Sequence, residues 1–381
     1  MLNLPALHFQ EKSEGRVLAS VYSEVSGISE RTLRKAGDLS PDTIKNAQQH
    51  SRDFVKGQLD KNGYSPEEIE TWLTLHPGYG SPGMFYSDLV YGCQIEGFIS
   101  FPHTIELASA IDRLSTRLVE ARQRNDLAGF KDALLNHPVL GPAYFAQNGA
   151  PTTQTTNTPL HEQLRTAEDW AAIYQPLAAV TSHSLLSLLA LWDVEFCSQY
   201  FSSFAPRSCF AMVLPRLDPK AGNADAGKIE KRKGMFWYPV RRLIGLMASL
   251  GGFARNQRWP VRVPEVEDVA SKTVEFKQNL VNWRDGTKKF TRRDFTHIWH
   301  KLCPDHKGST GPIRAPEPSP LFVATVFWQA LLVDVSTTSK VKSIMLIEDD
   351  YLRWWTMHHE ALRAKGNVFG TSPWPPCFNE I

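Results

Sequence analysis

Apolar residues recur along this chain at three- and four-residue steps in segment after segment, without alternating β-branched runs bounded by hairpin turns. That period matches the face of an α-helix and not the two-residue repeat of a strand, so the fold expected is all-α and multi-helical. With 381 residues, 42% of them hydrophobic and 11% aromatic, there is material for two or three helical subdomains. Start signals place several helices. Ser40-Pro41-Asp42 opens one that Asn62-Gly63 stops near Lys61, and Ser65-Pro66-Glu67-Glu68 repeats the device. Further helices are expected over 103–123, 159–174, 177–203, 239–256, 275–284, 291–302, 320–334 and 343–365.

Pro-, Gly- and Thr-rich stretches divide these helices. The expected organisation is an N-terminal helical domain over 1–147, a linker over 148–159 (NGAPTTQTTNTP from Asn148), central helices over 160–217, a basic region over 218–316 and C-terminal helices over 317–381. The longest apolar stretch, Leu321 to Val333, is interrupted by Thr325 and Gln329 and falls short of the roughly 20 residues of a membrane span. No basic segment followed by an apolar run opens the chain, so a soluble, cytoplasmic protein without a membrane partner is expected. Five widely spaced cysteines without a Cys-x-x-Cys pair fit reduced thiols rather than a disulfide framework.

Charge is unevenly distributed. Between Arg216 and Pro316 there are 21 Lys and Arg against 10 Asp and Glu, a net of +11; the rest of the chain carries 21 against 30, a net of −9. A segregated positive field attracts phosphates and releases their counterions, so nucleic acid is the expected partner. The cations expected to make contact are Lys231, Arg232 and Lys233 in a glycine-rich loop, Arg241 and Arg242 on the helix after Pro239, and Arg255, Arg258, Lys288 and Lys289. Interleaved aromatics, among them Trp237, Trp283, Phe290 and Trp299, offer an exposed subset for base stacking, with most of them in the core.

Residues 16–37, RVLASVYSEVSGISERTLRKAG, read as two short helices broken at Gly27, with the second capped by Ser29. This segment resembles the turn and recognition helix of bacterial helix-turn-helix regulators, although Ser23 stands where those motifs carry Ala. The resemblance implies that Glu30, Arg31 and Thr32 approach bases and that Arg34 and Lys35 contact phosphates, which favours DNA over RNA.

A second motif carries chemistry. His297, His300, Cys303 and His306 stand at uniform three-residue steps in RRDFTHIWHKLCPDH, and all four are residue types that bind zinc and related ions. The same segment, with Arg292, Arg293, His297 and His300, resembles the Arg-x(4 to 6)-His signature of HEPN-fold ribonucleases, capped here by Thr291. That resemblance implies RNA cleavage without metal, with Arg293 and His300 in the catalytic pair. Two near misses are set aside: Gly222 to Lys228 has phosphate-loop spacing but Ile229 where Ser or Thr holds Mg²⁺, and Glu348-Asp349-Asp350 belongs to a long helix ending in His358-His359-Glu360. The preferred expectation is thus a non-enzymatic nucleic-acid-binding protein with no cofactor, working within a larger bacterial nucleoprotein assembly. A ribonuclease is the runner-up, and a purely architectural subunit, docked to other protein subunits through its acidic and basic parts, is the third.

Overall fold

The computed structural model describes residues 49, 53, 56–57, 59–60, 63–75, 86–87, 90, 93, 101–137, 160–200, 208–214, 216–217, 236–237, 239–250, 278–279, 281–283, 288, 290–302, 306–308, 311–313, 319–334 and 340–364. The fold is all-α. It divides into two compact units, Met1–Trp192 and Asp193–Ile381, with the division inside one long helix.

In the first unit, Gly63 (φ +83°) ends a helical stretch that includes Leu59 and Asp60. The Tyr64 N–H reaches the Leu59 carbonyl and the Gly63 N–H that of Asp60, the two bonds of a Schellman cap, which needs the left-handed conformation that glycine adopts without strain. Helix α1 (Pro66–Leu75) then starts on the expected signal. The Ser65 N–H donates to Glu68 Oε2 at 2.7 Å while Ser65 Oγ accepts the Glu68 N–H, a capping box. Helix α2 (Pro102–Gln123) agrees with the expected span to within one residue at its start. Asn125 (φ 54°) turns the chain after it, and Asp126 caps α3 (Leu127–Leu135) by accepting the Gly129 N–H at 2.8 Å. This nine-residue helix was not among those expected.

Helix α4 (Leu160–Thr166) packs on α3, tied by Lys131 Nζ donating to the carbonyls of Arg165 and Ala167. The break expected near Pro176 falls instead at residues 167–169, and α5 runs unbroken from Trp170 to Tyr200 with Pro176 inside it. Asp169 caps this start through the Ala172 N–H at 2.8 Å. Burial of every residue from His183 to Cys197 offsets the hydrogen bond that Pro176 cannot make.

The second unit contains the rest of α5, then α6 (Cys209–Met212), α7 (Pro239–Leu250), α8 (Arg292–Leu302), α9 (Ser319–Asp334) and α10 (Lys340–Ala364). Helix α9 is its centre: every residue from Pro320 to Trp328 is buried, and α6 and α7 pack on it. Rings of Trp283, Phe290, Phe295 and Phe322 form a chain of contacts with centroids 5.3–6.1 Å apart, and Trp328 meets Tyr351 of α10 edge to face at 5.5 Å. Two short antiparallel ribbons depart from the purely helical expectation. Strand β1 (Arg216–Leu217) pairs with β2 (Phe236–Trp237), and β3 (His306–Gly308) pairs with β4 (Gly311–Ile313). Strands of two or three residues are too short for alternation to show in a sequence. Among the described residues no helix is long and apolar enough to cross a membrane.

Candidate functional site

Helix α8 carries the sequence motif and is strongly two-faced. Phe295, Ile298 and Trp299 are fully buried, whereas Arg293 and His297, one turn apart, are exposed. Thr291 caps the helix as expected: its N–H and hydroxyl both donate to Asp294 Oδ2, at 3.1 and 2.7 Å, and its Oγ1 accepts the Asp294 N–H. Arg292 is half-buried, its guanidinium over the rings of Phe295 and Phe322 at 5.3 and 5.4 Å, so much of its charge is spent on aromatic faces. Lys288 is exposed just before the helix, 2.8 Å from Asn279 Oδ1 and 5.8 Å from the Trp283 ring centre.

The other expected contacts separate into three groups. Arg241 is half-buried on α7. Arg242 corrects the expectation of an outward cation: it is 8% exposed, and its Nε donates to the Met212 carbonyl, which locks α6 to α7. The reason is positional, because residue 242 falls beside the apolar stripe of Val240, Leu243 and Met247 and the guanidinium reaches an otherwise open helix-end carbonyl. Trp283, Phe290 and Trp299 are likewise core residues and do not present faces for stacking. Outside the described residues lie the helix-turn-helix segment with Arg31, Thr32, Arg34 and Lys35, the loop cations Lys231, Arg232 and Lys233, and Arg255, Arg258 and Lys289. Of the metal-ligating series, His297 is exposed on α8, His300 lies on α8 and His306 on β3 without described side chains, and Cys303 is outside the described residues.

A second cluster, which the sequence reading missed, lies in the core of the second unit. Asp193 is fully buried on α5, and both of its oxygens are taken up by donors. Oδ1 accepts the backbone N–H groups of Cys209 and Phe210 at 3.0 and 3.1 Å, with the Cys197 thiol at 3.2 Å. Oδ2 accepts the hydroxyls of Ser208 and Tyr351, the latter at 2.8 Å. Sγ of Cys197 and of Cys209 are 3.0 Å apart, and Asp193, Cys197 and Cys209 each place a donor atom within 4.8 Å of the others.

Helical spacing explains part of this geometry. Asp193 and Cys197 are one turn apart on α5 and face the same way, while Ser208 caps α6 by accepting the Ala211 N–H and so fixes Cys209 at the helix start. Burial governs the protonation of every group. It raises the Asp193 carboxyl to about 6 against the pull of its donors, and it raises both thiols and the Tyr351 phenol above their ordinary values. At neutral pH both thiols are therefore protonated. The one local signal was a pair of acidic residues, Asp193 and Glu195, inside the mostly apolar run LLALWDVEFC; the partners of Asp193 at 208, 209 and 351 are distant in sequence.

The chain matches no family model, no curated protein and no solved structure.

Proposed function

We propose that the protein binds nucleic acid, with DNA preferred, through cations of the 216–316 region. The observation that carries this reading is the net charge of +11 in that region against −9 in the remainder. Among the described residues of the region, Lys288 and Arg293 are exposed cations on or beside α8 and are available to phosphates. Lys231, Arg232 and Lys233 extend the same charge, and the segment from Arg16 to Gly37 supplies the base-reading element of the proposal.

The test is fluorescence-anisotropy binding to labelled duplex DNA, single-stranded DNA and RNA across a salt series. Each lost phosphate contact lowers the slope of log affinity against log salt by about 0.9. Replacing Lys288 and Arg293 together by Ala is therefore expected to lower it by about 2 and to weaken binding at low salt by about tenfold or more. Arg31→Ala is expected to relax sequence preference instead. Unchanged affinity and slope in the Lys288 and Arg293 variant would remove these residues from the interface. Absence of binding to all three probes at low salt would leave the basic region as a docking face for a protein subunit.

One observation favours a second reading, a HEPN-like ribonuclease: Arg293 and His297 are both exposed on one side of α8, with position 300 following at helical spacing. Running the recovered RNA on a denaturing gel separates the two. Cleavage that His300→Ala abolishes, with RNA affinity retained, would support the nuclease; intact RNA would remove it.

A further inference from the structure

We propose that Asp193, Cys197 and Cys209 form a structural binding site for a divalent transition ion of the zinc class in the core of the second unit. Three kinds of observation point there. The first is ligand chemistry: two thiols and a carboxylate are ligands of this class, and all three lie in one buried cluster.

The second is geometry. Zinc–sulfur bonds of about 2.3 Å in a tetrahedral site put two sulfurs about 3.8 Å apart and a sulfur and an oxygen about 3.5 Å apart. The Cys197 and Cys209 sulfurs lie 3.0 Å apart, and Cys197 Sγ lies 3.2 Å from Asp193 Oδ1, so a shift of less than about 1 Å admits the ion. Asp193 and Cys197, one helical turn apart, use the same-face spacing by which helices present paired metal ligands.

The third is the support around the ligands. Oδ2 of Asp193 is held by Ser208 and Tyr351, and Oδ1 is aimed at the sulfurs by the N–H groups of Cys209 and Phe210. Metal-ligating carboxylates are oriented in this way by outer hydrogen bonds.

On binding, each thiol gives its proton to solvent and its sulfur bonds the ion, with no change in oxidation state. Two thiolates and the carboxylate against the dication leave one net negative charge, which faces the two N–H groups and the hydroxyls. Release of two protons makes affinity rise about a hundredfold per pH unit below the thiol range. This site is separate from the series His297, His300, Cys303 and His306.

The experiment measures zinc per chain by elemental mass spectrometry after expression and reconstitution with zinc. One zinc per chain is expected in the wild type, in Cys93→Ser and in the His297→Ala/His300→Ala double variant. Less than about a tenth of that is expected in Cys197→Ser and Cys209→Ser. The Cys197→Ser hydroxyl still donates to Asp193, and circular dichroism checks that the variants keep their helices. Should they unfold, the cobalt-substituted wild type decides: thiolate-to-cobalt charge transfer of two-sulfur intensity, retained in Cys303→Ser, supports the site, and single-sulfur intensity or its loss in Cys303→Ser overturns it. Zinc retained in folded Cys197→Ser, a folded wild type that takes up none, or a Cys197–Cys209 disulfide found by peptide mapping would each overturn it as well.

Discussion

Replacing Asp112 by Asn asks whether burial or hydrogen bonding governs a carboxyl in the first unit. Asp112, on α2, is 1% exposed and accepts the N–H groups of Tyr86 and Ser87 at 3.0 and 2.9 Å and the Ser87 hydroxyl at 2.7 Å. Burial raises it from 3.8 to about 7, with the hydrogen bonds from Ser87 and Tyr86 pulling the other way. Between those values the folded protein holds a proton that the unfolded chain has released, so its stability falls as pH rises through that window. At about 1.36 kcal/mol per pH unit, the loss from about pH 5 to the folded value is about 3 kcal/mol. Asparagine does not titrate, and it differs from the protonated carboxyl in one group: the hydroxyl oxygen, which can still accept, becomes an amide nitrogen with two N–H donors and no acceptor. Urea unfolding followed by circular dichroism at about pH 5 and about pH 8 reads the difference between the two proteins. The variant is expected to be about 1 to 2 kcal/mol less stable at the lower pH, because one buried N–H loses its acceptor, and to reach or pass the wild type at the higher. A deficit that stayed constant with pH, or grew at pH 8, would refute the reasoning and show that the three donors keep the carboxylate ionised.

Three further outcomes follow from single contacts. Removing the acceptor of five donors with Asp193→Ala is expected to cost about 4 kcal/mol, against about 1 to 2 for Tyr351→Phe, and urea midpoints of both variants check the ratio. Gly63→Ala places a side chain at φ +83° and Ser65→Ala removes a capping box, so each is expected to cost about 1 kcal/mol in thermal unfolding. Trp299→Ala, in a site with no exposure, is expected to cost about 3 to 5 kcal/mol, whereas Arg293→Ala on the opposite face of α8 stays within about 0.5 in the same assay.

Helices whose start signals are local were legible from the residues. Ser65-Pro66 and Thr291 begin α1 and α8 through hydrogen bonds to residues three positions on, and the apolar period placed α2, α7, α9 and α10 to within a few residues at their starts. Pro176 misled because a proline's local cost was weighed without the burial of the helix around it, which only the folded chain supplies. The short helices α3 and α6 are set by the caps Asp126 and Ser208 and have too few turns for a period to emerge. Position 242 lies off the apolar stripe of Val240, Leu243 and Met247, which points it outward, yet a long side chain beside that stripe buries its stem and reaches a carbonyl. The Asp193 cluster was illegible for another reason: its bond to Tyr351 spans 158 residues, and no local pattern encodes such a contact.

Asp112 and Asp193 solve the same physical problem in the two units. In each case a long helix presents a buried carboxylate to two consecutive backbone N–H groups, at Tyr86 and Ser87 in one and Cys209 and Phe210 in the other, and to a serine hydroxyl beside them. Backbone N–H groups in the core cannot be satisfied by water, so an acceptor must be buried with them, and that burial raises both carboxyls. The comparison separates the satisfaction of buried N–H groups from any additional role. Three donors suffice at Asp112, whereas Asp193 gathers a thiol and a phenol beyond that set and holds a second thiol 3.0 Å from the first. Satisfying the N–H groups requires none of those extra groups. Each of them is a group that can give up a proton to bind a metal, which is why the ion is assigned to the Asp193 cluster and not to Asp112.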